Sequence, residues 1–311
     1  MSTETEISRR RAWLMAARPQ TMPAAISPVL VGVGVAVHEG LFAVVPAAAA
    51  LLGAILIQIG TNFANDYYDA VQGADTEDRE GFTRVTAGGL IEPESVERAM
   101  WLTFAAAILV GSYLVWVGGV PILVIGLLSV ASGIAYTGGP YPLGYHGLGD
   151  LFVFVFFGLV AVTGTVYVQA AAAVAGVPTT IPSGTVPPLA VLASLPMAGL
   201  TTNVLVVNNV RDREEDSRTG KRTLAVRFGY GVSRAEYVAM LTLAYAVPIW
   251  LFLDEFGVAV LLPLLSFPLA GVVTRTVLTE TSGEALNPAL ERTGQLLALY
   301  AVLFAVGLVL G

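Results

Sequence analysis

The sequence predicts an all-α polytopic membrane protein with nine transmembrane helices in a single domain covering residues 1–311. Three observations predict it. Of the 311 residues 55% are hydrophobic and only 13% charged, against roughly 25% charged in soluble domains. Apolar segments of the length that crosses a bilayer core, about 20 residues, recur to the C-terminus. The 16 Lys and Arg cluster at the N-terminus and around the connections after the second, sixth and eighth segments, while the connections after the first, third, fifth and seventh carry none.

Taken in order, the segments are 21–37, ending near His38, and 41–64, ending in an Asn- and Asp-rich stretch. Segments 99–117 and 120–137 follow, with so little polar sequence between them (Gly118, Gly119) that they must form a tight helical hairpin. Residues 151–174 lead to an uncharged loop near Pro178, and 187–208 end in a second Asn- and Asp-rich stretch. Segments 235–253, 257–278 and 294–311 complete the set. The first ten residues are polar, so no removable signal peptide is expected.

The cations orient the bundle, since loops rich in Lys and Arg stay cytoplasmic. With nine spans and a cytoplasmic N-terminus, all 16 Lys and Arg fall on the inner side. The outer loops near His38, Gly118, Pro178 and Asp254 carry none. A plasma-membrane protein with cytoplasmic functional loops is expected. Arg is used almost to the exclusion of Lys, which points to a GC-rich or salt-adapted source. With a net charge of −7, no nucleic-acid partner is expected. Cysteine is absent, which excludes disulfides, thiolate metal sites and Cys nucleophiles. His38 and His146 are too few for an imidazole site, so any divalent metal must take oxygen ligands, as magnesium, calcium or manganese do.

More than half of the 23 acidic residues lie in 66–97 and 212–236, both on the cytoplasmic side. In the first stretch Asn62, Asp66 and Asp69 fall at i, i+4, i+7, on one face of a helix leaving the membrane, with Asp75 in a turn after Gly73. In the second, Asn208, Asp212 and Asp216 fall at i, i+4, i+8, again on one face. Like charges stacked this way destabilise a helix by a few tenths of a kcal/mol per pair, and a bound cation reverses the sign. Magnesium is commonly held by one or two carboxylates plus substrate phosphates. Arg84, Lys221 and Arg222 supply the cations that complete a diphosphate pocket. An acidic loop is elsewhere often only a solvated surface, and Glu77, Asp78, Glu80, Glu92, Glu94, Glu97, Glu214 and Glu215 read that way. The recurrence of an Asn/Asp face at two span mouths on one side argues against that reading for the motifs themselves.

On these residues the chain resembles the UbiA superfamily of intramembrane prenyltransferases, and within it the 1,4-dihydroxy-2-naphthoate polyprenyltransferase branch of menaquinone biosynthesis. The resemblance runs through ARPQTMPAAISPVLVG (17–32), NFANDYYDAVQGADTEDR (62–79), YTGGPYPLGYHGLGDLFVFVFFG (136–158) and NNVRDREEDSRTGKRTLAVRFG (208–229). It implies a bundle around a central cavity, with Mg2+ bridging the Asp motifs to a polyprenyl diphosphate. By position it carries Asn62, Asp66 and Asp69 onto the first motif and Asn208, Asp212 and Asp216 onto the second. The four Asp are then metal ligands rather than bases, Arg84, Lys221 and Arg222 contact diphosphate, and the partners are a polyprenyl diphosphate, an aromatic acceptor and membrane lipid. Asp150 stands where many relatives have Glu.

The implied reaction is loss of diphosphate from an allylic chain and attack of the acceptor ring on the resulting cation. Tyr136, Tyr141, Tyr145, Phe152 and Phe156 would face that cation, by cation–π attraction of roughly 0.5 to 2 kcal/mol each, or serve as ordinary interfacial and core aromatics. Arg18 would pair with the acceptor's carboxylate or anchor the first span. Asp150 is a functional candidate as an ionisable group entering a span, or else a helix cap. Acceptors such as 4-hydroxybenzoate, homogentisate, chlorophyllide, haem or a glycerol phosphate lipid precursor use the same diphosphate machinery. A secondary transporter is disfavoured because the Asp clusters sit at span mouths rather than mid-bilayer.

Overall fold

The computed structural model describes residues 7–71 and 85–311; Asp75 and Arg84 lie outside the described residues. No strand occurs among them. A short helix α1 (Arg9–Ala17) is followed by α2 (Met22–His38), α3 (Val44–Val71), α4 (Pro93–Ala135), α5 (Gly149–Ala171) and α6 (Pro188–Arg211). After the two-turn α7 (Arg213–Thr219) come α8 (Leu224–Leu253), α9 (Val258–Thr279) and α10 (Gly283–Leu310).

Eight helical segments among the described residues are long and apolar enough to cross a membrane. One of them, α4, has 43 residues and would measure about 65 Å straight, twice the hydrocarbon thickness of about 30 Å. It does not run straight. At Gly119 the backbone takes φ 66°, ψ −149°, a conformation that favours glycine, and a Cβ there would fall 1.8 Å from Pro178 O. The two arms fold back on each other, so that a methyl placed on Gly133 would lie 3.6 Å from Phe104 Cζ. This is the tight hairpin the sequence predicts. With its arms taken separately, nine apolar helical segments among the described residues stand where the hydropathy marks them.

Several helices overrun the apolar segments that mark them. α3 continues seven residues past position 64, α8 starts at Leu224 rather than 235, and α10 starts at Gly283 rather than 294. For α8 and α10 the physical reason is capping. Thr223 and Ser282 accept hydrogen bonds from Val226 N and Ala285 N, both at 3.4 Å, and start these helices upstream of their apolar segments; in α8 the early turn is set off from the rest by a break at Gly229 (φ 78°, ψ 177°).

Lipid tails provide no hydrophobic drive between helices, so close packing and interhelical hydrogen bonds hold such a bundle. Gly158 illustrates the first: a Cβ there would sit 2.3 Å from Ala198 Cα, so α5 and α6 meet backbone to backbone. Around it α5 widens to a π-helix over Phe154–Val160. Tyr300 illustrates the second, donating to Ala244 O at 2.5 Å from α10 to α8. The main core forms around Met197, Leu200, Tyr245, Leu297, Tyr300 and Phe304.

Candidate active site

α3 has 28 residues, about 42 Å, so it outruns the hydrocarbon layer and carries Asn62, Asp66 and Asp69 in its last turns, all three buried. The second motif folds differently from a single continuous helix. α6 stops at Arg211, Asp212 is the junction (φ −87°, ψ 3°), and α7 restarts at Arg213. Asp216 N still donates to Asp212 O at 2.8 Å, so the two carboxylates stay one turn apart despite the break.

The two ends meet over one cavity of about 250 Å³, whose wall includes Asn62 and Asp69 from α3 and Asn208, Asp212 and Asp216 from the second motif. Lys221, Arg18 and Tyr136 also line it. Lys221 Nζ lies 3.3 Å from Asp69 Oδ1, and the Tyr145 hydroxyl donates to the same oxygen at 2.5 Å. The ammonium also stands over the Tyr145 ring at 4.8 Å. On the opposite wall Arg211 grips Asp212 with Nε at 2.6 Å and Nη2 at 2.8 Å, and reaches Asn208 Oδ1 at 2.9 Å and Asn287 Oδ1 at 3.1 Å.

Several expected residues stand elsewhere or act indirectly. Asp66 is not part of the cavity wall: its Oδ2 accepts from Thr86 N at 3.1 Å and Thr86 Oγ1 at 2.6 Å, while Oδ1 lies 3.7 Å from Arg18 Nη2. Asn62 donates to Ala17 O and Thr21 Oγ1, both at 2.9 Å, and accepts from Gln58 at 3.3 Å. Those bonds pin the turn in which Arg18 adopts φ 50°, a left-handed conformation that costs a non-glycine residue on the order of 1–3 kcal/mol. Arg222 is exposed and outside the wall, because its neighbour Lys221 takes the inward direction. Tyr141 is also outside it, 55% exposed and stacked on His146 at 3.6 Å. Asp150 is buried behind the wall, accepting from Asn209 at 3.5 Å; the residue that precedes its helix as cap is Leu148. Phe152 and Phe156 line a second, apolar cavity.

Sequence reasoning missed Thr86, Gln58, Thr21 and Arg211. Only Arg211 left a signal, lying between Asn208 and Asp212 in the motif itself. Asn62→Ala is expected to destabilise the protein by about 1–3 kcal/mol, because it strands buried partners. It is also expected to raise the acceptor KM more than it lowers kcat, by releasing Arg18. Thermal unfolding in detergent and steady-state kinetics check the two parts.

The apolar cavity, about 670 Å³, shares Thr61, Tyr136, Val153 and Phe157 with the polar one and continues from it between α3, both arms of α4 and α5. A charged site opening into an apolar cavity between membrane-crossing helices is the architecture of a membrane-embedded enzyme for an amphipathic substrate. The chain belongs to the UbiA prenyltransferase family, whose model matches residues 25–292, and it is a prenyltransferase. It is 38% identical to the 1,4-dihydroxy-2-naphthoate octaprenyltransferase of Escherichia coli (strain K12), across 99% of this chain and 98% of the relative. Among solved structures, its fold matches the apo UbiA homolog from Aeropyrum pernix K1 with TM-score 0.67 at 13% identity, covering 92% of this chain and 97% of that one. It also matches the Archaeoglobus fulgidus homolog bound to GPP and Mg2+ with TM-score 0.57 at 13% identity, covering 95% and 100%.

Proposed function

We propose that the protein transfers a polyprenyl group from its diphosphate to 1,4-dihydroxy-2-naphthoate, with Mg2+, giving demethylmenaquinone in its quinol form. One observation carries the reading: both Asn/Asp ends line a single cavity that opens into a long apolar one, which is the shape of a diphosphate on an isoprenoid tail. The acceptor is supported by the naphthoate octaprenyltransferase relative.

The donor set suits magnesium. Asp69, Asp212, Asp216 and Asn208 offer oxygen ligands to one cavity from two helix ends. That accords with an ion that keeps waters and takes its remaining ligands from phosphate. Asp69, Asp212 and Asp216 would hold it, with Asp66 positioning Arg18 beside them. When bound, the metal neutralises charge growing on the leaving diphosphate.

The protein's own residues do the rest. Lys221 and Arg211 face the headgroup and add positive charge where the diphosphate forms. The allylic C–O bond breaks, and the carbocation lies against Tyr136 and Phe157 at the junction of the two cavities, where water is excluded. A ring carbon of the acceptor attacks it, a C–C bond forms, and the ring carbon loses its carboxylate as CO2. Arg18 pairs with that carboxylate before it leaves.

Purified protein incubated with Mg2+, octaprenyl diphosphate and a panel of aromatic acceptors tests the reading. The expected product mass is that of the prenylated naphthalenediol without the carboxyl group. A prenylated 4-hydroxybenzoate and no naphthoate product would overturn the acceptor assignment.

We also propose that the carboxylate end faces the cytoplasm, supported by the clustering of cations at that end. The chain lacks cysteine, so single labels are clean: in intact cells an impermeant maleimide is expected to label Ser183→Cys but not Ser217→Cys, both positions being exposed. The reverse pattern would invert the topology.

A further inference from the structure

Glycines inside helices need a reason, because they lose more backbone freedom on folding than any other residue. Close packing is the usual one, and Gly60 and Gly133 show it: a Cβ would come 2.9 Å from Phe104 Cε1 at the first and 2.6 Å from Thr61 Oγ1 at the second. Gly53, Gly111, Gly126 and Gly164 are different. All four line the apolar cavity, none has a positive φ, and a Cβ on any of them would meet nothing within 4 Å. Neither turn geometry nor helix contact accounts for them.

They also share one level. Phe104 touches the positions of Gly60 on α3 and Gly133 on the second arm of α4, which sets the register of these three helices. Seven residues further from the carboxylates along each lie Gly53, Gly111 and Gly126. On α5, Tyr167 stands with Gly118 and Ile122 at the hairpin bend, which brings Gly164, three residues back, to the height of Gly126. α3, both arms of α4 and α5 thus each contribute one glycine at the same depth, while α2 closes the remaining side with Ala24, Ala25 and Val29. Along α3 that depth is sixteen residues from Asp69, about 24 Å.

We propose that this ring of four glycines keeps the tunnel open at that depth and so determines how long a prenyl chain the enzyme accepts. The inference rests on the donor reading above and names the residues that select among donors. A geranyl tail ends short of the ring, whereas an octaprenyl tail must pass it.

The test is equilibrium binding of geranyl diphosphate and octaprenyl diphosphate, with Mg2+, to the purified full chain and its Gly164→Leu and Gly126→Leu variants. Each variant is expected to lose about tenfold or more in octaprenyl affinity, the equivalent of a few unburied methylenes, while geranyl affinity stays within about twofold. Gly164→Ala, with space for its methyl, is expected to keep both affinities and reports that the site tolerates substitution. Unchanged octaprenyl binding in both Leu variants, or equal loss of both donors, would overturn the ring. A wild-type protein that binds neither donor would instead overturn the donor reading itself, and because no acceptor is present, a wrong acceptor affects neither result.

Discussion

Asp212→Asn is expected to lower prenyl transfer about 10²- to 10³-fold, the usual cost of removing one preorganised electrostatic contact from a site. The substitution is nearly isosteric, so the loss should appear in membranes that contain normal amounts of folded protein. Asp212 lines the cavity, accepts from Asn208 and holds Arg211 through two nitrogens. Asp212→Ala is a poorer probe: Arg211 is only 5% exposed, and removing its partner strands a buried cation at a cost of about 3–5 kcal/mol. Quantified membrane protein alongside initial rates separates the two effects. Normal transfer by well-expressed Asp212→Asn would remove Asp212 from the catalytic machinery.

Chelation of divalent cations is expected to bring transfer below detection, and restoring Mg2+ in excess of the chelator to return it. The reason lies in the charge of the pocket. Asp69, Asp212 and Asp216 face a cavity that must receive a polyanion, and Lys221 and Arg211 are already engaged with Asp69 and Asp212 at 3.3 and 2.6 Å. Without a metal the diphosphate meets carboxylates whose nearest cations are shared. Initial rates against free Mg2+ measure this, and turnover that persists in excess chelator would contradict it.

The segments and the hairpin were legible because hydropathy reports burial in lipid directly, and Gly118–Gly119 left no room for a loop. The starts of α8 and α10 were not, since capped turns outside the apolar run carry no hydropathy signal, whereas the extension of α3 past the membrane follows from the i, i+4, i+7 spacing of its motif. In the site, the spacing of Asn62, Asp66 and Asp69 placed them on one helix face but could not tell which of them reaches the cavity. That depends on Thr86, twenty residues away, drawing Asp66 aside, while Asn62 keeps its place in the wall as it donates to Ala17 and Thr21. The spacing of the second motif reads as one helix, and the structure breaks it at Asp212, which forms a buried ion pair with Arg211. Lys221 and Arg222 are indistinguishable in sequence; only the fold turns one inward.

The central claim is that two helix ends from distant parts of the chain hold one metal–diphosphate unit between them. Binding of an unreactive prenyl thiodiphosphate to the wild type, Asp69→Asn, Asp216→Asn and the double variant, each with and without Mg2+, tests it most directly. The account predicts Mg2+-dependent binding, a large loss in each single variant, and a double variant scarcely weaker than either, with a coupling of about 0.5–3 kcal/mol. Additive losses, or binding indifferent to Mg2+, would mean that the two ends serve separate sites.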